Sequence, residues 1–121
     1  MVIRKGTDEF KSRTFVFPKP DKTAVQHFLV NEGEYDGKMN SFIRAVLNPG
    51  FDLPFHVHDD CEEIYTVIFG HVVYTDAEKQ KHTLGAGDVV VCRCGEGHAV
   101  ANPFAEPAIM IELNMPVEPK K

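Results

Sequence analysis

No apolar run in this chain is longer than a single strand, and each is closed by a turn. Apolar, β-branched and aromatic residues recur over 14–17, 23–30, 41–47, 63–69, 72–75, 88–92, 98–101 and 108–113. Between them lie turn formers at 18–21, 34–37, 48–50, 76–79, 85–87, 95–97 and 102–103, most of them containing Pro, Gly, Asn or Asp. Short strands at such regular spacing predict an all-β chain folded as an antiparallel sandwich or barrel. Helix signals are scarce. No stretch repeats the whole pattern, so one domain over 1–121 is expected, with a polar, proline-containing tail over 116–121 that frays.

Some runs are apolar on both faces. In 63–69, Glu63, Tyr65, Val67 and Phe69 share one side of the pleat, and Ile64, Thr66 and Ile68 share the other. One side can fill a barrel interior. The other needs a cover, either the N-terminal strands or a second copy of the chain, so a homodimer is expected.

The chain has 121 residues, enough to bury roughly two-thirds of its unfolded surface without a disulfide. Its net charge of -5, with no basic stripe, argues against nucleic acid or anionic membranes as partners. The N-terminal Met1, Val2, Ile3, Arg4, Lys5 and Gly6 place no apolar run behind their charges, so neither a signal peptide nor a membrane anchor is expected. Three cysteines, Cys61, Cys92 and Cys94, are an odd number without C-x-x-C spacing, which points to a reducing, cytoplasmic setting.

His56 and His58 carry the first chemical signal. Residues two apart on a strand point to one side, so both imidazoles would face one pocket, and neutral imidazole is the commonest nitrogen ligand for transition metals. Alone, such a pair is weak evidence. Its surroundings strengthen it: Gly50, five residues, His56, one residue, His58, four residues, Glu63, six residues, Gly70. A second pattern follows: Gly87, seven residues, Gly95, two residues, His98, three residues, Asn102.

In order and spacing these two stretches resemble the paired motifs of the cupin superfamily, stand-alone bacterial members in particular. Arg93 departs from the pattern at a position where a turn-forming proline is usual. The resemblance implies a single antiparallel jelly roll, or double-stranded β-helix. It also implies one divalent metal held by His56, His58, Glu63 and His98. Three imidazoles and a carboxylate suit manganese, iron, nickel, cobalt or zinc, and four ligands on a six-coordinate ion leave two positions for water or substrate. Glu62 competes with Glu63 for the carboxylate role, because the family tolerates three or four intervening residues. Strand parity favours Glu63, which falls beside Tyr65 and Val67.

Other residues carry weaker signals. Tyr65 could donate a hydrogen bond to a metal-bound group, although an aromatic at such a position is more often core. Arg44 could clamp a substrate carboxylate if it points inward; an outward arginine is the commoner case. Cys92 and Cys94, with Cys61, could form a thiol cluster, but the simpler reading makes Cys92 a small buried hydrophobe. Asn102 is structural in the family pattern. His27, His71 and His82 fall outside the motifs and are not assigned to the metal. The segment Gly85, Ala86, Gly87 and Asp88 has the wrong spacing for phosphate binding and reads as a turn. No spare carboxylate is evident as a general base.

Two functions are open at this level. One is a small metalloenzyme (dioxygenase, decarboxylase, isomerase or lyase) acting on a small oxygen-rich acid, keto compound or sugar derivative. Glu62, Glu63, Ile64 and Tyr65 make the chain similar to a single domain of oxalate decarboxylase or to sugar-phosphate isomerase-like proteins. The other is a non-catalytic module that binds or senses a small metabolite; no helix-turn-helix segment accompanies the barrel.

Overall fold

A computed structural model describes residues 1–118. Among them the strands are β1 (Ser12–Val16), β2 (Thr23–Phe28), β3 (Ser41–Leu47), β4 (Asp52–Val57), β5 (Cys61–Phe69), β6 (His71–Thr75), β7 (Lys81–Gly85), β8 (Val89–Cys92), β9 (Gly97–Ala101) and β10 (Ala108–Pro116), with no helix. They form a six-stranded sheet of order β1-β2-β3-β10-β5-β8 and a four-stranded sheet of order β4-β9-β6-β7, with every pairing antiparallel. The all-β antiparallel expectation is borne out.

Alternation explains how the sheets face each other. Ile43, Ala45 and Leu47 are buried on β3 while Phe42, Arg44 and Val46 between them are not. Tyr65, Val67 and Met110 from the large sheet meet Val72, Tyr74 and Val100 from the small one in a shared core. On β5 the alternation runs only as far as Val67. The register with β10 shifts between Ile109 and Met110, and Ile68 and Phe69 are both exposed. The expected inward position of Phe69 is therefore wrong, because the bulge turns the strand end outward.

Two strands lacked an apolar signature. β4 carries Pro54, which cannot donate to a ladder, and its pairing with β9 shifts register between Leu53 and His56. β7 is polar and lies at the sheet edge, where charged side chains such as Lys81 guard the unpaired backbone. At the other end of the chain, Pro116 still belongs to β10 and the Val117 amide donates to the Asp60 carbonyl (3.0 Å). Fraying thus does not begin at 116; residues 119–121 of that expected tail lie outside the described ones.

The second motif is tied to the first through Asn102. The Gly50 amide donates to the Asn102 carbonyl (2.7 Å), and the Asn102 amide donates to Phe51 (2.8 Å). Its fully buried side-chain amide donates to the carbonyls of Leu47 and Glu106 (2.8 Å each), and its oxygen accepts from the Phe104 amide (3.0 Å). Gly70 closes the β5–β6 turn at φ +71°, where a Cβ would lie 2.6 Å from the Pro107 carbonyl oxygen.

Removing the Asn102 side chain would strand several buried backbone groups. Asn102→Ala should cost roughly 2–4 kcal/mol in denaturant unfolding; a loss under about 1 kcal/mol would mean that water replaces these bonds without penalty.

Candidate metal centre

The pairing of β4 with β9 sets His56 directly opposite His98. Their rings lie 4.4 Å apart, and His58, just past the end of β4, brings its ring to 4.9 Å from His56. One nitrogen from each of the three imidazoles falls within 4.8 Å of the others. Glu63 reaches the same point from β5, in the opposite sheet. Its Oε1 lies 3.4 Å from His58 Nε2 and 3.7 Å from His98 Nε2. Glu63 is only 4% exposed, and that Oε1 has no hydrogen-bond partner. A buried carboxylate oxygen without a donor is costly unless a cation occupies the space it faces. The donor set therefore fits a divalent metal.

The other ring nitrogens are held away from this point. His56 Nδ1–H donates to the Pro54 carbonyl (2.8 Å), leaving Nε2 as the free lone pair. His98 Nδ1 meets Cys92 Sγ at 2.9 Å, and the Cys92 thiol donates onward to the Glu96 carbonyl (3.4 Å). With Nδ1–H directed at sulfur, His98 turns Nε2 inward, 3.3 Å from the Tyr65 hydroxyl. Burial, and next the nearby His56, pull His98 down to about 4, so it is neutral at physiological pH. Burial pushes the Glu63 carboxyl up, but hydrogen bonds from Glu112 and Tyr65, with His98 and His58, outweigh it and leave it below the usual carboxylate range. Burial, followed by repulsion from Glu112 and Glu63, holds the Tyr65 phenol well above its ordinary value.

Sequence reasoning missed Glu112. It lines the same cavity as Glu63, and burial, then its hydrogen bond to Glu63, raises its carboxyl well above the ordinary value. A spare carboxyl thus does face the site, contrary to expectation. The signal was present: Glu112 has the inward parity of Ala108 and Met110. Cys92 is buried as anticipated, but its sulfur also orients a site histidine.

The remaining candidates lie elsewhere. Arg44 sits on the outer side of β3 with its guanidinium over Phe10 (5.2 Å) and is absent from the cavity wall, so the inward clamp fails on strand parity. Glu62 pairs opposite Met115 and does not line the cavity. His27 lies across from Arg44, His71 packs on Phe104 (5.9 Å), and His82 pairs with Asp76 (2.8 Å); none joins the cluster. The cysteines are all free, with Cys61 buried against the Asn114 amide (3.5 Å).

A model of the cupin domain family matches residues 43–114. An oxalate-binding protein of Thermotoga maritima is 34% identical over 78 residues, a match spanning 64% of this chain and 63% of that protein's length. Among solved structures, a predicted oxalate decarboxylase from Thermotoga maritima superposes with a TM-score of 0.82 at 23% identity, covering 97% of this chain and 100% of that one. A sugar phosphate isomerase of a cupin superfamily from Silicibacter pomeroyi gives 0.71 at 22% identity, covering 88% and 71%. At these identities the structural matches show the fold, a double-stranded β-helix.

Above the unfolded-state value of 4.5, the unfolded chain releases the Glu112 proton while the folded chain retains it. Glu112 therefore costs stability progressively as pH rises. Glu112→Gln, which keeps a donor, should raise the Tm of chelator-treated protein at pH 8 and leave it unchanged near pH 4. A difference that does not widen with pH would contradict a protonated Glu112.

Proposed function

The chain belongs to the cupin domain family, and on that premise we propose that it is a small metalloenzyme acting on an oxygen-rich acid, keto compound or sugar derivative. The partnerless Oε1 of Glu63, buried against His58 and His98, is the observation that carries this reading. His56, His58, Glu63 and His98 would hold one divalent ion, with manganese, iron, nickel, cobalt and zinc all suited to the donor set. When bound, such an ion supplies Lewis-acid polarisation of an oxygen donor or dioxygen activation.

The chain's own residues would do the rest. Cys92 and the Pro54 carbonyl orient His98 and His56. Tyr65 and Glu112 line the cavity and hydrogen-bond to Glu63, which holds that carboxylate beside the histidines. Leu53, Val100 and Met110 limit water around them.

A second reading, binding without turnover, is favoured by the name of the Thermotoga relative, an oxalate-binding protein. Turnover of a candidate acid that is lost in His58→Ala separates the two; tight binding with unchanged ligand supports the module.

The free cysteines support a reducing, cytosolic setting. A second copy of the chain is the proposed cover for the outer face at β8. Val89 and Val91 are 61% and 58% exposed and pair beside Thr66 and Ile64 on β5, with exposed Ile68 further along that strand. β8 is an edge strand, so a two-fold contact there would cover both its apolar row and its free backbone edge.

Two measurements test these assignments. Elemental analysis of protein purified without chelator or nickel resin should give close to one metal per chain for wild type and a loss of tenfold or more for His56→Ala; absence of metal in both after reconstitution would end the metal-centre reading. Light scattering should show a dimer that the Val89→Lys/Val91→Lys double variant converts to monomer; an unchanged dimer would place the contact elsewhere.

A further inference from the structure

The cavity lined by three of the four donors, His56, His58 and Glu63, is larger and more apolar than a two-carbon diacid requires. Its volume is about 430 Å³. Beyond His56, His58 and Glu63, most of its wall is apolar, with Phe15, Phe17, Leu47, Phe51, Leu53 and Met110 among the lining, and Gln26, Ser41 and Asn114 supply neutral polar groups. Phe17 and Phe51 meet edge to face at 6.3 Å, which gives that end a rigid aromatic wall. An apolar wall of this extent in a ligand cavity is matched by an apolar ligand body.

Charge points the same way. Arg13 is the one cation among the lining residues, and it stands at the rim. Its Nε–H donates to Gln26 Oε1 (2.5 Å), and its guanidinium lies over Phe15 (5.0 Å) and Phe28 (5.3 Å). Deeper in, the ionisable side chains besides the imidazoles and Tyr65 are the carboxyls Glu63 and Glu112. A dianion that placed one carboxylate among the donors would set the other against aromatic carbon or beside these carboxyls, and the single lining cation, Arg13, is exposed and already engaged by Gln26, Phe15 and Phe28. A phosphate would find the same single arginine at the rim and no lysine among the lining residues.

We propose that this cavity takes a 2-oxo or 2-hydroxy monocarboxylic acid with an aryl or branched-alkyl body, and discriminates against oxalate and sugar phosphates. The placement of the polar head rests on the metal-centre reading, whereas the body rests on the cavity wall alone. The head lies at the four donors, within reach of Tyr65 and Glu112. The body fills the space between Phe17, Phe51 and Met110. Ala45, buried on β3 between Gln26 and Met110 of the neighbouring strands, marks the floor that a larger side chain would fill.

Calorimetric titration of manganese-loaded and chelator-treated protein with phenylpyruvate, 4-methyl-2-oxopentanoate, pyruvate and oxalate tests this, with retained metal measured after each run. Each buried methylene is worth about a fourfold gain. Phenylpyruvate should therefore bind at least tenfold tighter than pyruvate in both forms, and tighter than oxalate in the loaded form. Ala45→Met should erase the advantage of phenylpyruvate over pyruvate at unchanged metal content. Equal affinities for phenylpyruvate and pyruvate, or oxalate as the tightest ligand of the loaded protein, would overturn the proposal. If no metal is retained, the metal-centre reading fails by itself, and the ranking of phenylpyruvate against pyruvate in metal-free protein still decides whether the cavity takes an apolar body.

Discussion

The pairing of β4 with β9 is the constraint on which the rest of the site depends. It sets His56 opposite His98, so that two imidazoles some forty residues apart in the chain become cross-strand neighbours. The bond from the Gly95 amide to the His58 carbonyl (2.8 Å) holds the end of β4 against the turn before β9. Asn102 locks the other end of the same pair to Gly50 and Phe51. With both ends tied, β4 keeps its place despite Pro54 and the shift in its ladder. Glu63 comes from the facing sheet, so the donor set closes only because the two sheets pack at side-chain distance.

Within that frame, polar and apolar groups are separated along one cavity. Imidazoles and carboxyls gather around Glu63, and aromatic and aliphatic side chains fill the far end. Both carboxyls near the donors are removed from bulk water, and their environments push them apart. Burial raises both, but hydrogen bonds and the nearby imidazoles hold Glu63 below the ordinary carboxylate value, while Glu112, whose partner is Glu63 itself, is held well above it. Two carboxyl groups in contact cannot both ionise without a cation between them. The arrangement gives the cavity two carboxyls of opposite tendency from a single residue type.

Much of this was legible in the sequence because it depends on local spacing. Turn residues at short intervals announced an antiparallel β fold, and alternation on β3 and β5 matched the burial seen there. Parity alone put Glu63 inward and Glu62 elsewhere. The failures also have physical causes. β7 is polar because charged side chains guard the unpaired backbone of an edge strand, and β4 is interrupted by a proline that a bulge accommodates. Phe69 was misplaced because the register shift with β10 falls just before it. Glu112 carried the right parity, but a single acidic residue on a strand can as well face water as a cavity.

By itself, the sequence determined most of the strand pattern and the residue types able to ligate a metal, since both follow from composition and spacing over short distances, and its two motifs carried the resemblance to the family. Only the tertiary structure decided which donors meet, that Arg44 lies outside, that Cys92 orients His98 and that Glu112 faces Glu63. Those facts depend on which strands become neighbours across the two sheets. Strand order and register are set by packing between segments far apart in the chain, and no local spacing encodes them.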